Sequence, residues 1–190
     1  MIKDFFPIPV YMESLNLDIK DIADYCLKIK NNAEGAQISN RGGWQSHNLT
    51  GEHSPLNSLF QSIANAGKIY GNTISYNYPL NANTVWININ NYKDYNIDHI
   101  HPHSVASGVY FVKARSGDLV LRHPAINLMG YNWASPNLKK YTPHNSAVCK
   151  IPPVDNTLII FPGWLSHHVE ANLDKEDRIS ISFNLDSSSF

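Results

Sequence analysis

The clearest strand pattern in the chain is Arg178-Ile179-Ser180-Ile181-Ser182-Phe183-Asn184, with apolar side chains at odd numbers and, from Arg178 on, polar side chains at even numbers. Such alternation is typical of a β-strand, because successive side chains point to opposite faces of a sheet. An upstream segment, Trp86-Ile87-Asn88-Ile89-Asn90, alternates in a similar way. Two interpretations of the polar faces are open: they meet water, or they line a hydrated pocket in a small barrel covered outside by helices.

Short strand-like segments follow one another beyond residue 70, separated by Asn, Pro, Gly and Asp. Strands this short and this evenly spaced are typical of a β-sandwich or a barrel. The segments comprise residues 85–90, 108–112, 118–122, 147–151, 157–161 and 179–184.

The first third of the chain is predicted to be mainly helical. Apolar residues recur at helical spacing over residues 17–29. A second helix is expected to start at Ser54, to carry Pro55 in its first turn and to close at Gly67. Before the first helix, residues 5–11 contain two prolines and suit an edge strand.

Helices followed by strands predict an α+β, mainly β fold. We expect a double-stranded β-helix, that is, a jelly-roll or cupin-like barrel, backed by N-terminal helices. Residues 1–190 are expected to form one domain. Residues 1–69 would supply an N-terminal strand and supporting helices, and residues 70–190 the jelly-roll core that carries the metal-binding histidines described below.

The charge balance argues against binding to nucleic acid or to a membrane surface. The chain has 15 Lys and Arg against 16 Asp and Glu, a formal net charge of -1. A nucleic-acid binder would show a strongly basic face, and a membrane protein a basic cluster or a long apolar segment. With two cysteines and no apolar leader, we expect a cytoplasmic protein with free thiols. The proline-bearing N-terminal strand is compatible with a homodimer.

Three histidines lie close together in Asp98-His99-Ile100-His101-Pro102-His103. On an extended strand, residues i and i+2 point to the same side, so His99 and His101 can reach one metal ion together. Pro102 disturbs the strand, which places His103 in the following loop. Alternative sets that use His101 with His103, or that recruit Asp98, remain open, although the phase of the strand favours His99 and His101.

A further histidine follows a predicted turn far downstream, in Phe161-Pro162-Gly163-Trp164-Leu165-Ser166-His167. A strand ends at Phe161, Pro-Gly turns the chain, and His167 opens the next strand. Two histidines on one strand and a third from a distant strand are the elements of a facial metal site in a barrel mouth. Neutral imidazoles suit iron, zinc, copper and nickel alike, so the residues alone leave the metal open.

The positive charge of Arg178 has two interpretations. It shares a strand face with Ser180, and in a polar pocket its planar guanidinium would bind a carboxylate through two hydrogen bonds. Alternatively, Arg178 is exposed and pairs with a nearby acidic residue. The candidates for such a pair are Asp174, Glu176 and Asp177.

Taken together, these segments resemble the 2-oxoglutarate/Fe(II)-dependent oxygenase family found in marine bacteria and phages. The resemblance covers roughly residues 80–184 and rests on several separated blocks that occur in the same order. The blocks are residues 86–90, the His-x-His-Pro motif at residues 99–102, and residues 107–112, 161–167 and 178–184.

The resemblance implies a non-haem iron enzyme that uses 2-oxoglutarate and releases succinate and CO2. In this superfamily a His-x-Asp/Glu pair and a distal histidine hold the Fe(II), and these positions correspond to His99 and His167 here. An arginine about ten residues further on binds the distal carboxylate of 2-oxoglutarate and corresponds to Arg178. His101 stands where a carboxylate is usual, which leaves the iron site more cationic.

The same resemblance suggests further contacts to 2-oxoglutarate from Ser180, Tyr110 and Asn88. Trp86 is expected to line the pocket or to pack in the core, whereas core packing is favoured for Trp164. The substrate would be a small molecule or a protein side chain. Two alternatives remain: a cupin-like three-histidine metalloenzyme that does not use 2-oxoglutarate, and a jelly-roll binding protein without catalysis.

Overall fold

The computed structural model describes residues 1–129 and 137–187. This part of the chain contains two α-helices, a short 3-10 helix and eleven β-strands. In chain order they are β1 (Tyr11–Ser14), α1 (Ile19–Asn32), β2 (Asn40–Arg41), β3 (Trp44–Gln45), the 3-10 helix (Ser54–Leu56), α2 (Asn57–Thr73), β4 (Leu80–Asn90), β5 (Tyr95–His99), β6 (Ala106–Lys113), β7 (Leu119–Arg122), β8 (Val148–Ile151), β9 (Thr157–Pro162), β10 (His167–Val169) and β11 (Arg178–Ser187).

The strands form two antiparallel sheets. The large sheet has the order β1-β9-β6-β11-β4-β3, and the small sheet has the order β2-β5-β10-β7-β8. All the strand pairs of both sheets are antiparallel. This is the double-stranded β-helix with two supporting helices, and it confirms the predicted fold class.

The N-terminal elements differ from the prediction at their ends. The edge strand β1 begins only at Tyr11 and pairs with β9, because Pro7 and Pro9 before it have no N–H to donate to a ladder. Helix α2 continues past Gly67 to Thr73, since Gly67 packs against the start of β4 instead of ending the helix. Among the described residues, no helix is both long enough and apolar enough to cross a membrane.

The main hydrophobic core lies between the helices and the outer face of the large sheet. Strand β11 contributes Ile179, Ile181 and Phe183, which are all buried in this cluster. The helices contribute Cys26 from α1 and Ile63 from α2. Burial of such side chains stabilises the fold by about 1.5–3 kcal/mol each, so this layer holds the barrel together from outside. The polar residues of β11 point to the other face, toward the small sheet.

Candidate metal centre and adjoining cleft

Three histidines converge on the inner face of the small sheet. His99 ends β5, His167 begins β10, and the two residues are directly opposite in the antiparallel ladder. His101 follows β5, and its ring centroid lies 5.1 Å from that of His99 and 5.2 Å from that of His167. One ligand atom from each histidine lies within 4.8 Å of the others. The three side chains are therefore close enough to share one ion.

The position of His101 depends on contact between two turns. Its backbone N–H donates to the carbonyl oxygen of Gly163, at 2.8 Å, in the turn between β9 and β10. A Cβ at Gly163 would lie 2.2 Å from the carbonyl oxygen of Ser104, so only glycine lets the two turns approach this closely. This contact brings His101 beside His167 although His101 lies outside a regular strand.

The other two candidate ligands near this motif do not join the cluster. Asp98 points to the outer face of the small sheet, where it accepts hydrogen bonds from Arg122 at 2.6 Å and His168 at 3.1 Å. His103 is exposed in the loop that follows Pro102. Strand alternation explains why Asp98 faces away from its neighbour His99.

Backbone carbonyls orient two of the imidazoles. The Nδ1 atom of His99 lies 2.7 Å from the carbonyl oxygen of Ile97, and that of His167 lies 2.9 Å from the carbonyl oxygen of Leu165. A carbonyl oxygen only accepts, so Nδ1 carries the proton in both residues. Their Nε2 atoms are then left with a lone pair, which is the arrangement of metal-binding histidines.

The cluster is neutral near pH 7. Burial, followed by the neighbouring His99, lowers the pKa of His101 to about 4 and that of His167 to about 3. Burial also lowers the pKa of His99. Neutral imidazoles are the form that coordinates a metal, so no proton has to leave before an ion binds at this pH.

Arg178 lies inside the barrel and is only 2 % exposed. Its Nε donates to the carbonyl oxygen of Gly117 at 3.2 Å, its Nη1 donates to Ser180 Oγ at 3.0 Å, and the Phe111 ring lies 5.2 Å from its Cζ. Its Nη2 is buried and has no hydrogen-bond partner among the residues that the structure describes. Burial lowers the pKa of Arg178 to about 10, so the side chain keeps its charge near neutral pH.

The exposed ion pair considered for Arg178 does not form. Glu176 pairs with Lys113 at 2.7 Å, and Asp177 lies 3.8 Å from Lys30. A buried guanidinium with an unpaired N–H end is costly unless an anion meets it. This donor therefore fits the distal carboxylate of 2-oxoglutarate, as the three neutral imidazoles fit Fe(II).

A single cleft joins the histidines to Arg178. Its empty volume is about 490 Å³, part of which is open to solvent. Arg178 and the three histidines line the same cleft, which is the geometry expected of an oxoglutarate enzyme. A three-histidine enzyme without 2-oxoglutarate would not need Arg178 there, and a binding protein without a metal would not need its histidines clustered. The predicted site residues that line it are Asn88, His99, His101, His167, Arg178 and Ser180.

The role predicted for Tyr110 is wrong. Tyr110 lies opposite Ile181 on the outer face of the large sheet, and its hydroxyl donates to Asn156 Oδ1 at 2.6 Å. It belongs to the core beneath the helices. The adjacent Phe111 is the residue of this strand that faces inward and contacts Arg178.

Trp86, Trp164 and Asn88 lie in different environments. Trp86 lines the cleft, and its ring centroid lies 5.8 Å from that of His101. Trp164 is 53 % exposed in the turn after β9, so its predicted core packing is wrong. Asn88 Nδ2 donates to Ser182 Oγ at 3.0 Å, while no described residue pairs with its buried Oδ1.

Two contacts of Arg178 had no functional signal in the sequence. Phe111 lies in an unbroken apolar run, in which the inward and outward positions cannot be told apart. Gly117 is part of Ser116-Gly117-Asp118, which predicts a turn and nothing more. Both contacts join Arg178 to residues that are distant from it in the sequence and come close only when the strands pair.

Comparison with known proteins gives the family. The family model described as "Putative 2OG-Fe(II) oxygenase" matches residues 84–184, more than half of the chain. No curated protein sequence matches the chain.

Similar solved structures share the fold at low identity. A Pseudomonas putida prolyl-4-hydroxylase is 11% identical, with 95% of this chain and 93% of that chain covered and a TM-score of 0.66. A Trichoplax adhaerens prolyl hydroxylase in complex with a hypoxia inducible factor peptide is 15% identical, with 94% and 83% covered and a TM-score of 0.61. The nogalamycin epimerase SnoN, with Fe3+, alpha ketoglutarate and nogalamycin RO, is 10% identical, with 95% and 79% covered and a TM-score of 0.68.

The family match, the fold and the two halves of the cleft agree. A cluster of three neutral histidines fits the iron, and a buried arginine with a free donor fits the oxo acid. The chain belongs to the 2OG-Fe(II) oxygenase family and is an Fe(II)- and 2-oxoglutarate-dependent oxygenase.

Proposed function

We propose that His99, His101 and His167 hold the Fe(II) of this enzyme. Their mutual distances, their neutral state and the carbonyls that fix two of the rings support this assignment. When bound, the iron and 2-oxoglutarate together activate O2 and supply the oxidation. The protein contributes the ligands, their orientation and a cleft that limits the access of water.

Arg178 and Ser180 hold the distal carboxylate of 2-oxoglutarate in this proposal. The observation that carries it is Nη2 of Arg178, a charged donor inside the barrel that has no partner within residues 1–129 and 137–187. Ser180 Oγ accepts from Nη1, so its own O–H remains available to the carboxylate. Asn88 lies opposite Ser180 in the ladder and lines the same cleft, which supports a contact between its amide and the cofactor.

The reaction we propose is hydroxylation of a small molecule or a protein side chain, with succinate and CO2 as the other products. One structure similar to this chain holds a peptide and another holds nogalamycin RO. Both substrate classes are therefore compatible with this fold. Apolar walls from Val109, Leu119 and Phe161 enclose the cleft and reduce its contact with bulk water.

Metal binding by single variants tests the ligand assignment. His167→Ala should weaken Fe(II) binding about 100-fold or more, because only two of the three imidazole ligands remain. His103→Ala is the matched control, since this exposed histidine lies in the same motif and should leave Fe(II) affinity unchanged. His101→Asp should retain iron, because it restores the carboxylate that is usual in the superfamily. Unchanged affinity in His167→Ala, or a loss in His103→Ala, would contradict the assignment.

Optical spectroscopy tests the cofactor. Anaerobic addition of Fe(II) and 2-oxoglutarate should produce a weak visible charge-transfer band, and admission of air should produce succinate. Absence of both from the wild-type protein would refute the proposed reaction.

A further inference from the structure

The turn between β6 and β7 lies directly against Arg178. Gly117 in this turn has a φ of +81°, and its carbonyl oxygen accepts from Arg178 Nε. A Cβ at Gly117 would lie 2.9 Å from the carbonyl oxygen of Glu170 and 3.2 Å from Arg178 Cδ. Both the backbone conformation and the close contacts therefore require glycine.

Ser116 fixes this turn to the segment that leads into β11. Its Oγ donates to Asn172 Oδ1 at 2.6 Å and accepts from the backbone N–H groups of Leu173 at 2.8 Å and Asp174 at 3.1 Å. Asn172 is itself 1 % exposed, and its Nδ2 donates to the carbonyl oxygen of Asn90, which lies opposite Arg178 in the ladder. The turn is thus tied to the segment that leads into β11 and, through Asn172, to the end of β4.

The hydrogen bonds of Arg178 define the direction in which its free end points. Nε donates to the carbonyl oxygen of Gly117, one N–H of Nη1 donates to Ser180, and Cζ lies 5.2 Å from the centre of the Phe111 ring. Nη2 is left unpaired among the described residues, at the end of the fork. Its N–H groups can donate charge-assisted hydrogen bonds to a carboxylate.

We propose that Gly117 and Ser116 are positioning residues that give the enzyme its selectivity for a 2-oxo acid with a distal carboxylate. The inference rests on the proposed role of Arg178 and extends it to the turn that aims the side chain. A long arginine held in advance loses little conformational entropy on binding, whereas an arginine free to rotate binds the same carboxylate less well. Selectivity therefore depends on this turn as well as on the charge.

The test compares two ligands on the Mn(II)-loaded protein by isothermal titration calorimetry. One is 2-oxoglutarate, and the other is 2-oxopentanoate, which has the same carbon chain with a methyl group in place of the distal carboxylate. Gly117→Ala should raise the dissociation constant of 2-oxoglutarate about tenfold or more, because the displaced guanidinium loses charge-assisted hydrogen bonds. The dissociation constant of 2-oxopentanoate should change less than about twofold, because this ligand does not reach for Arg178. A general loss of structure would instead weaken the binding of both ligands.

Gly51→Ala is the matched control. Gly51 has a φ of +90°, and no atom of the described residues lies within 4 Å of a Cβ placed there. The variant carries the same kind of backbone strain without a contact to Arg178, so it should leave the affinity for both ligands unchanged. A loss of selectivity in Gly51→Ala equal to that in Gly117→Ala would overturn the inference.

Ser116 provides a second route if Gly117→Ala fails to fold. Ser116→Ala removes the three hydrogen bonds of the hydroxyl without adding an atom, and it should weaken 2-oxoglutarate binding about threefold to tenfold. Ser116→Thr keeps a hydroxyl and should restore most of the selectivity. If Gly117→Ala and Ser116→Ala both keep the wild-type selectivity, the inference is overturned. If Gly117→Ala does not fold, wild-type selectivity in Ser116→Ala is enough to overturn it.

Arg178→Leu separates this inference from the proposed function. If wild-type protein does not prefer 2-oxoglutarate to 2-oxopentanoate, or if Arg178→Leu keeps the preference, the role of Arg178 is wrong and the inference fails with it. If Arg178→Leu loses the preference while the variants of the turn keep it, Arg178 binds the carboxylate and only the positioning role is refuted.

Discussion

The two faces of β11 carry alternate residues of one strand and serve opposite purposes. Ile179, Ile181 and Phe183 point outward and are buried beneath the helices. Arg178 and Ser180 point inward and line the cleft. Burial of the apolar face stabilises the folded protein, whereas burial of the polar face destabilises it unless a ligand binds there.

Unpaired polar atoms show how large that loss is. Inside the barrel, Asn88 Oδ1, Asn90 Oδ1 and Arg178 Nη2 are buried and have no partner in the described part of the chain. Each buried polar atom without a partner costs about 1–3 kcal/mol. Burial of the apolar outer face offsets this cost. The large sheet therefore stays folded although its inner face carries unpaired polar atoms that can bind a ligand. Substitutions on the two faces should therefore separate stability from cofactor binding.

The largest expected effect is on the outer face. Phe183→Ala removes a fully buried ring from the main core and should lower the free energy of unfolding by about 3–5 kcal/mol. The affinity of the folded protein for 2-oxoglutarate should stay within about twofold of wild type. Urea denaturation and calorimetry at a temperature where both proteins are folded measure the two quantities. A tenfold loss of affinity would mean that the two faces are not independent.

The reverse result is expected for Arg178→Leu. Loss of the charged donor should weaken 2-oxoglutarate binding about 100-fold, equivalent to about 2.7 kcal/mol. The free energy of unfolding should be unchanged or higher, because a buried charge whose Nη2 lacks a partner among the described residues is replaced by an apolar side chain. Arg115→Leu is the control: this arginine is 65% exposed and should change neither quantity. A marked loss of stability in Arg178→Leu would contradict the division between the faces.

The site also makes stability depend on pH. Folding lowers the pKa of His101 to about 4 and that of His167 to about 3, from an ordinary value of 6.5. Between these values the unfolded chain binds more protons than the folded one, so stability is full above about pH 6.5 and is lost as the pH falls toward 4.

His167→Leu tests this dependence in protein freed of metal with a chelator. From pH 7 to pH 5, the free energy of unfolding should fall less in the variant than in wild type, by at most about 2 kcal/mol. The measurement is urea denaturation at each pH. Ile181→Val should show the wild-type slope, since it changes the outer face and no titrating group. Equal slopes in His167→Leu and wild type would show that His167 does not titrate as its burial implies.

Much of this division was predictable from the sequence because β4 and β11 are polar on one face only. Alternation at residues 86–90 and 178–184 indicates which side chains share a face. The spacing of His99 and His101 predicts one side of a single strand; the two imidazoles do lie together, but His101 follows β5 and is held by its contact with Gly163. The turn before His167 was equally clear. These features are local, and the antiparallel pairing of β5 with β10 and of β4 with β11 brings them together.

The wrong or missing predictions concern residues for which the local sequence pattern carries no information. Residues 108–112 are apolar on both faces, so their phase could not be derived and Tyr110 was placed inward. The exposure of Trp164 depends on how its turn rests on the segment after β5, and the role of Gly117 depends on a contact with Arg178. Such contacts join residues that are distant in the chain, and neither spacing nor composition indicates them.

The smallest predicted effects compare the two neighbours that the sequence could not tell apart. Tyr110→Phe should lower stability by about 1 kcal/mol, since Asn156 Oδ1 loses one donor but keeps the N–H of Leu17, and 2-oxoglutarate affinity should not change. Phe111→Leu should weaken 2-oxoglutarate binding about threefold, because Arg178 loses the ring beneath its guanidinium. Calorimetry on both variants measures the difference. Weaker binding in Tyr110→Phe, with none in Phe111→Leu, would reverse the assignment of this strand's two faces, because only a side chain that points into the barrel can affect the carboxylate held by Arg178.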